Sequence, residues 1–372
     1  MPRIALTGLA ALAVAMGVGR FAFTPMLPLM QDDAGVSLVQ GGYLASANYV
    51  GYFAGALWAT LPARSPRAIR GALGAIVITT LAMAFVHSMA WWLLLRFLAG
   101  VASAWALVHV SSWSLARLPP ARAGVVFSGV GWGIALAGGL CLALTCFGVS
   151  SGQAWIALGA VALLIAAAVW PNVRDESTRA ARREAPSFVW SADALRLVLC
   201  YGAFGFGYVI PATFVPVMAK AVVTDPAWFG WAWPLFGASA AVSTMAAACL
   251  ASRYGHRRIW SAASLAMAAG VAAPLVLAGL SGIVLSALLV GGTFMVITMA
   301  GMQEARNIAG TQAPALMAAM TASFAAGQIA GPLAVSYVVQ RPHGFALVLA
   351  LASVVLVLSA AALASKEKPC PT

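Results

Sequence analysis

Long apolar stretches separated by short polar gaps make up almost the whole chain. Because the apolar core of a bilayer is about 30 Å thick, a helix needs about 20 residues to cross it, and most of the stretches reach that length. The ten-residue alternating segments typical of a membrane β-barrel do not occur in the sequence. The pattern predicts twelve transmembrane helices, spans 1 to 12, at residues 4–30, 38–61, 70–88, 91–115, 124–148, 152–170, 194–219, 227–251, 258–279, 281–303, 314–339 and 343–364.

The composition also indicates a protein embedded in a membrane. Of the 372 residues, 62% are hydrophobic and only 8% are charged, whereas a soluble domain is about 25% charged. This composition excludes a soluble enzyme, a secreted disulfide-rich module and a disordered protein. The five cysteines form no Cys-x-x-Cys pair and no cluster with histidine, so we expect neither a metal site nor another cofactor.

The 21 Lys and Arg residues fall mainly on one side of the predicted membrane. Sixteen of them lie in alternate polar gaps, two lie in the remaining gaps, and three lie within or beside spans. Since cytoplasmic loops are the ones enriched in Lys and Arg, this predicts a multi-pass protein of the bacterial inner membrane with both termini in the cytoplasm. The net charge of +12 is divided among these gaps, so we expect no nucleic-acid partner.

The longest polar stretch, residues 171–190, divides the chain into halves that resemble each other. Several positions of the first half recur 188 residues later, and a shared offset indicates duplicated units. We therefore predict an N-terminal six-helix bundle at residues 1–170, a cytoplasmic linker at 171–190 and a C-terminal six-helix bundle at 191–372. The recurring pairs are Gly17 and Gly205, Gly19 and Gly207, Pro28 and Pro216, Met30 and Met218, Gly139 and Gly327, and Arg70 and Arg258.

Several segments resemble motifs of the major facilitator superfamily. Residues 95–100 (LRFLAG) are similar to its RxxxG motif, and residues 253–258 (RYGHRR) are similar to its basic motif between helices. Residues 17–30 and 41–52 resemble the YbfB/YjiJ-like branch. The resemblance implies an all-α integral membrane protein with twelve transmembrane helices in two pseudo-symmetric six-helix bundles. It also implies transport by alternating access. Position 252 departs from the basic motif, because Ser252 stands where the motif has Asp.

The resemblance implies a substrate site between the two halves. Spans 1, 4, 7 and 10 would line a central cavity, with spans 2, 5, 8 and 11 alongside. Counting 1.5 Å of helix rise per residue from the span ends places eight polar or aromatic side chains on these spans near the membrane midplane. These candidate substrate-binding residues are Arg20, Asn48, Tyr49, Tyr52, Trp105, Tyr208, Thr293 and Gln328.

Arg20 carries the strongest signal among these candidates. An arginine at the centre of a span costs at least about 2.5–3.5 kcal/mol to insert, and no acidic residue lies near the middle of any span. One interpretation is that Arg20 binds an anionic or zwitterionic substrate, bidentately if the bound group is a carboxylate. The other is structural, with Arg20 bonded to helix-end carbonyls or to Asn48 and Tyr52.

Further residues are candidates for coupling and for conformational change. Arg96 lies in the RxxxG motif, and His109 is a membrane-embedded group with an ordinary pKa near neutrality, so both are candidates for proton coupling. Arg96 as a helix anchor and His109 as a packing residue are the alternatives. Glycines permit close helix packing and bending. The candidate conformational residues are Gly129, Gly131, Gly133, Gly331, Pro332, Arg253, Gly255, Arg257 and Arg258.

These features together predict a monomeric secondary active or facilitative transporter of a small molecule in the lipid bilayer. The substrate would be an anionic or zwitterionic organic solute bound at Arg20, with or without a coupling ion. Two alternatives stay open, namely multidrug-type efflux of uncharged or lipophilic compounds and a transporter-like sensor that no longer transports. An enzyme is disfavoured because the spans contain no cluster of nucleophilic, acid–base or metal-binding residues.

Overall fold

The computed structural model describes residues 2–59, 65–174, 190–222, 226–277, 279–338 and 344–364. Helices joined by short turns account for these residues, and no β-strand occurs within the described ranges. In chain order the elements are α1 (Pro2–Leu12), a π-helical segment (Ala13–Phe21), α2 (Phe23–Ala34), α3 (Leu38–Trp58), α4 (Ser65–Ala82), α5 (Met89–Leu115), α6 (Ala123–Cys146), α7 (Ser151–Val169), α8 (Ala192–Val222), α9 (Pro226–Tyr254), α10 (His256–Val276), α11 (Leu280–Ala309), α12 (Ala313–Val338) and α13 (Gly344–Ala364).

The helices confirm the predicted fold class of an all-α integral membrane protein. Within the described ranges, nine helical stretches are long and apolar enough to cross a membrane, and one of these, Leu280–Val335, contains both α11 and α12. Helices α3 and α4 are not among the nine, because α3 carries glutamine, asparagine and tyrosine and α4 has two arginines among its first six residues. With α1, the π segment and α2 joined in one rod, the helices are consistent with the twelve predicted spans.

The π-helical segment distinguishes the first rod from the others. A π turn is rare and is frequently found at a functional site, and here it contains both Gly17 and Arg20. A Cβ atom built on Gly17 would overlap the backbone of Gly133 in α6. The segment therefore packs backbone against backbone on α6 while it carries the candidate arginine.

Glycines lie on two different faces of α6. Gly129 and Gly133 pack against the first rod, where a Cβ atom on either would overlap its backbone. Gly131 instead faces α9, where a Cβ atom would overlap the backbone of Ala241, and Gly237 of α9 has the same relation to α6. The three glycines that the sequence grouped together therefore make contacts in opposite directions.

Among the described residues, two pairs of helices make the most extensive contacts between the predicted halves. Helix α3 packs against α12, and α6 packs against α9. The offset of the internal repeat relates α3 to α9 and α6 to α12. The contact of α3 with α12 and the contact of α6 with α9 are therefore equivalent under the repeat. The boundaries 1–170, 171–190 and 191–372 stay a prediction, and most of the linker lies outside the described residues.

Candidate functional site

Arg20 lies in the interior, where its side chain meets helices of both predicted halves. Its Nη2 donates a hydrogen bond to Oε1 of Gln328 in α12. Its Cζ atom lies 3.9 Å from the ring centroid of Tyr52 and 5.6 Å from that of Tyr49, both in α3. Only 4% of the residue is exposed. Arg20 is therefore a buried cation held by one amide oxygen and by aromatic faces.

Asn48 and Arg96 tie three spans together beside Arg20. The Asn48 amide donates from Nδ2 to the carbonyl oxygens of Arg96, at 3.0 Å, and Gly19, at 3.4 Å. Arg96 donates from Nη2 to the Arg20 carbonyl at 3.2 Å and from Nη1 to the Gly19 carbonyl at 3.4 Å. The backbone of the π segment is thus fixed by side chains from α3 and α5, which positions Arg20.

Four buried polar atoms around this point lack a hydrogen-bond partner among the described residues. Three are donors, namely Nε and Nη1 of Arg20 and Nε of Arg96, and one is an acceptor, Oδ1 of Asn48. A buried polar group without a partner costs about 1–3 kcal/mol, so such groups in a folded protein need an explanation. All three residues line a cavity of about 40 Å³. Its other lining residues are Phe21, Phe23, Thr24, Ala45 and Tyr49.

No carboxylate balances the two buried arginines within the described ranges. The four acidic residues in these ranges lie at or near helix ends, and none of them pairs with Arg20 or Arg96. Asp32 and Asp33 are exposed near the end of α2, and Asp33 accepts a hydrogen bond from the Ser151 N–H. Asp193 and Glu304 pair with Arg257 instead. The site therefore carries two positive charges.

An aromatic wall closes the site toward the second half. The ring of Tyr208 stacks on Phe294 at 5.2 Å and on Phe324 at 6.2 Å between centroids. Phe21, next to Arg20, contacts Phe294 at 6.0 Å and Trp233 at 6.5 Å. Phe324 also lies 5.6 Å from the Arg20 Cζ atom. The wall joins α8, α9, α11 and α12 to the first rod.

The predicted residues do not all meet at one place. Arg20, Asn48, Tyr49, Tyr52 and Gln328 converge, and Tyr208 joins them through the aromatic wall. Arg96 was assigned to coupling from its motif, but its side chain lies in the same cluster. Phe21 and Phe324 were not predicted, although Phe324 lies one helical turn from Gln328 and that spacing could have identified it.

Trp105 and His109 form a separate cluster near the predicted cytoplasmic side. The Trp105 ring contacts Trp58 at 4.8 Å and His109 at 5.5 Å between centroids. The His109 Nδ1 lies 3.4 Å from the Ser65 hydroxyl. Thr293 also has its own partner, because its hydroxyl donates to the Leu289 carbonyl at 2.5 Å. Trp105, His109 and Thr293 are not among the residues that line the cavity at Arg20.

The remaining conformational candidates lie at the junction of α9 and α10 and in the interior of α12. Gly255 has a φ of +83°, which favours glycine, and it separates α9 from α10. Gly331 faces Val209 of α8, and Pro332 lies inside α12. Arg253 lies against the ring of Tyr254 at 5.4 Å. Arg258 lies in the first turn of α10, next to Arg257.

Arg257 forms the densest ion-pair network in the described part of the chain. Its Nη2 lies 2.7 Å from Asp193 Oδ2 and 2.9 Å from Glu304 Oε1, and its Nη1 donates to Asp193 Oδ1 at 3.1 Å. Its side chain is 12% exposed. The network joins α8, α10 and α11 at one end of the second half.

We expect the substitution Arg257→Gln to destabilise the protein by about 1–3 kcal/mol, because it leaves the partly buried Glu304 carboxylate without its cation. Asp193 loses one of its two cations and keeps Arg196 at 3.2 Å. A thermal melt in detergent measures the effect as a lower melting temperature than that of the wild type. Arg67→Gln is the control, since Arg67 is exposed at the start of α4. Equal melting temperatures for Arg257→Gln and Arg67→Gln would contradict the expectation.

Comparison with known proteins gives a family and a fold. A sequence profile of the family described as "Uncharacterised MFS-type transporter YbfB" matches residues 12–364. The human organic anion transporter MFSD10 (TETRAN) has a similar structure, with a TM-score of 0.73, 15% identity, and coverage of 98% of this chain and 100% of the other. FucP, a major facilitator superfamily transporter solved in the outward conformation, has a TM-score of 0.72, 15% identity, and coverage of 98% and 99%. No curated protein sequence matches the chain.

Proposed function

Because the chain belongs to the YbfB family of MFS-type transporters, we propose that it moves an organic anion across the membrane, with Arg20 as the cation that binds it. The family and the fold make the protein a membrane transporter, and they confirm the resemblance found in the sequence. The observation that carries the anion proposal is the pair of buried arginines, Arg20 and Arg96, without a carboxylate partner in the described ranges.

Electrostatics supports an anionic substrate. A lone guanidinium in the membrane interior costs several kcal/mol, and a second one nearby adds repulsion. An anion bound between the two arginines would offset both the cost of burying the guanidinium groups and their mutual repulsion, and it would accept hydrogen bonds from their unpartnered N–H groups. At 15% identity, the similarity to an organic anion transporter is evidence for the fold only. The proposal of an anionic substrate therefore rests on the two arginines.

The position of Arg20 supports transport by alternating access. Arg20 belongs to the first rod, whereas its hydrogen-bond partner Gln328 and the neighbouring ring of Phe324 belong to α12. A ligand at Arg20 would therefore contact both predicted halves, which is where a substrate binds in transporters built from repeats. Movement of one half against the other would then expose it to either side of the membrane.

Uptake into proteoliposomes tests the proposed substrate class. Purified protein is reconstituted, and uptake is measured for a panel of carboxylates, amino acids, sugars and lipophilic cations. We expect uptake of carboxylates and no uptake of the uncharged compounds. Transport confined to lipophilic or uncharged compounds would instead favour the second candidate, multidrug-type efflux, for which the aromatic wall at Tyr208 and Phe294 is the favouring observation.

The setting of the transporter is part of the proposal. We propose a monomer in the lipid bilayer of a bacterial inner membrane, with both termini in the cytoplasm and no nucleic-acid partner. The support is the distribution of Lys and Arg along the sequence, sixteen residues in one set of gaps against two in the other. Labelling of single cysteines introduced near the termini of a cysteine-free variant, in intact cells and in lysed cells, tests the orientation.

Proton coupling through His109 is proposed from its chemistry, since it is a buried imidazole beside a hydroxyl and an indole. We expect His109→Gln to abolish the stimulation of uptake by a pH gradient while substrate binding persists, because the cluster lies away from the cavity at Arg20. Uptake with and without an imposed gradient measures this. A fully retained gradient response in His109→Gln would leave His109 as a packing residue.

A further inference from the structure

We infer that the transported anion is a hydroxy acid, a carboxylate with a neutral hydroxyl group on the adjacent carbon, bound in the cavity by Arg20, Arg96 and Asn48. The inference rests on the proposed anion site and specifies its ligand. It depends on the unpartnered buried polar atoms of three residues that line that cavity, because these atoms include both donors and an acceptor.

The unpartnered N–H donors of Arg20 and Arg96 fit the carboxylate of the proposed ligand. Arg20 uses Nη2 for Gln328, which leaves Nε and Nη1 free of any partner within the described chain. Each of these atoms forms a carboxylate-binding edge of the guanidinium together with Nη2, and not with the other. Nη2 carries two N–H groups and Gln328 accepts from one of them, so one such edge stays open to a carboxylate. Arg96 uses both terminal nitrogens for backbone carbonyls, so its Nε is left facing no described acceptor.

The unpartnered acceptor, Oδ1 of Asn48, fits the hydroxyl group of the proposed ligand. The Asn48 amide orientation is fixed by its neighbours, because a flipped amide would place its oxygen against the carbonyl oxygens of Gly19 and Arg96. Its Oδ1 is therefore the free atom, and no described donor reaches it. Asn48 is 1% exposed, so water outside the protein does not satisfy this oxygen. A carboxylate alone offers no donor to it, and the ligand must supply one.

The charge of the site selects a neutral donor over an ammonium group. An α-amino acid would also present a donor next to its carboxylate, but its ammonium would lie near two guanidinium groups. Like charges at such short separation in a buried site repel strongly. A hydroxyl group makes the same hydrogen bond to Asn48 Oδ1 without that repulsion, and the net negative charge of a hydroxy acid is retained.

The size of the cavity agrees with a compact polar group. Since a single water needs about 10–15 Å³ measured in this way, a cavity of about 40 Å³ has room for a few heavy atoms. A carboxylate and one hydroxyl-bearing carbon are of that order. Any further part of the ligand would extend beyond the cavity, for example past Thr24, which is exposed.

Two matched pairs of ligands test the inference on the wild-type protein. Binding is measured by thermal shift and by calorimetric titration for lactate against propanoate and for mandelate against phenylacetate, which differ within each pair only by the hydroxyl group. Alanine replaces the hydroxyl of lactate with an ammonium, and lactamide replaces the carboxylate with a neutral amide. We expect each hydroxy acid to bind about three- to tenfold more tightly than its partner, and alanine and lactamide to bind more weakly than lactate.

The possible outcomes separate this inference from the proposed function. Equal affinities within both pairs would overturn the hydroxyl assignment and leave the anion site in place. Tighter binding of alanine than of lactate would overturn it in favour of an ammonium. If no carboxylate binds while lactamide does, both the inference and the proposed anion site fail.

A variant of Asn48 adds a second measurement. Asn48→Ala removes the acceptor, and we expect the preference within each pair to fall to about one while propanoate still binds at the arginines. The ratio within a pair is informative even if the loss of the Asn48 bonds to Gly19 and Arg96 lowers stability. A preserved preference in Asn48→Ala would contradict the role of Oδ1, and if the variant does not fold the wild-type series decides.

Discussion

Replacement of Arg20 with glutamine is expected to reduce the initial rate of carboxylate uptake by at least about 100-fold. Breaking a buried charge pair by removing one partner costs about 3–5 kcal/mol, and each 1.4 kcal/mol corresponds to a factor of ten in binding. Glutamine keeps a hydrogen-bonding amide near Gln328 and Tyr52 but cannot neutralise an anion. The loss would therefore come from charge, and proteoliposome uptake at subsaturating substrate measures it.

Two control variants distinguish a substrate-binding Arg20 from a structural one. Arg20→Lys keeps the charge but loses the planar group that binds a carboxylate bidentately, so we expect an intermediate rate. Arg70→Gln removes a partly buried arginine away from the site that also has one carbonyl acceptor and one aromatic neighbour, because Arg70 donates to the Trp170 carbonyl at 3.0 Å and lies 5.5 Å from its ring centroid. Uptake near the wild-type rate in Arg20→Gln would contradict the proposal.

The second large effect is expected at the contact between α6 and α9. A Cβ atom on Gly131 would overlap the backbone of Ala241 and lie 2.6 Å from the Gly237 carbonyl oxygen. Since neither obstacle is the end of a flexible side chain, Gly131→Ala must push the two helices apart. We expect at least about a tenfold loss of uptake and a lower melting temperature, because overpacking a close contact typically costs about 1–3 kcal/mol.

Gly139 provides the matched control on the same helix. A Cβ atom built there has no atom within 4 Å among the described residues, so Gly139→Ala adds a methyl group without a collision. Alanine in the middle of a helix is favoured over glycine by roughly 0.5–1 kcal/mol, and we expect this variant to be neutral or slightly stabilised. If Gly131→Ala behaves like Gly139→Ala in uptake and melting, close packing of α6 on α9 is not required.

The sequence predicted the part of the site that depends on helix geometry within single spans. Depth counted from the span ends placed Arg20 near the same level as Asn48 and Tyr52, and these residues do converge. The regular rise of a helix makes such an estimate independent of how the helices pack. Tyr208 lies 188 residues after Arg20, which is the offset of the internal repeat, and it joins the site through its aromatic neighbours.

Packing between spans was not predictable in the same way. Trp105 and Thr293 have suitable depths, but the rotation of their helices places them among other partners. Arg96 was separated from the substrate site because its motif suggested another role, whereas its guanidinium reaches across to the carbonyl of Arg20. The contact of Arg20 with Gln328 depends on how the two halves meet, which no pattern within one half specifies.

The π-helical segment was also absent from the prediction. An apolar stretch with glycines is compatible with an α-helix or with a wider turn, and hydrophobic pattern alone does not separate them. The structure shows what accompanies the wider turn, since Gly17 packs on α6 and the carbonyls of Gly19 and Arg20 accept bonds from Arg96. These contacts come from distant spans and determine where Arg20 lies.

A ligand-induced thermal shift of wild-type and Arg20→Gln protein tests whether Arg20 binds the carboxylate of the substrate. Both proteins are melted in detergent with the same series of carboxylates and with sugars and lipophilic cations. We expect carboxylates to raise the melting temperature of the wild type and to leave that of Arg20→Gln unchanged. Equal shifts of both proteins by carboxylates, or shifts by uncharged or cationic compounds alone, would contradict it and leave Arg20 with a structural role.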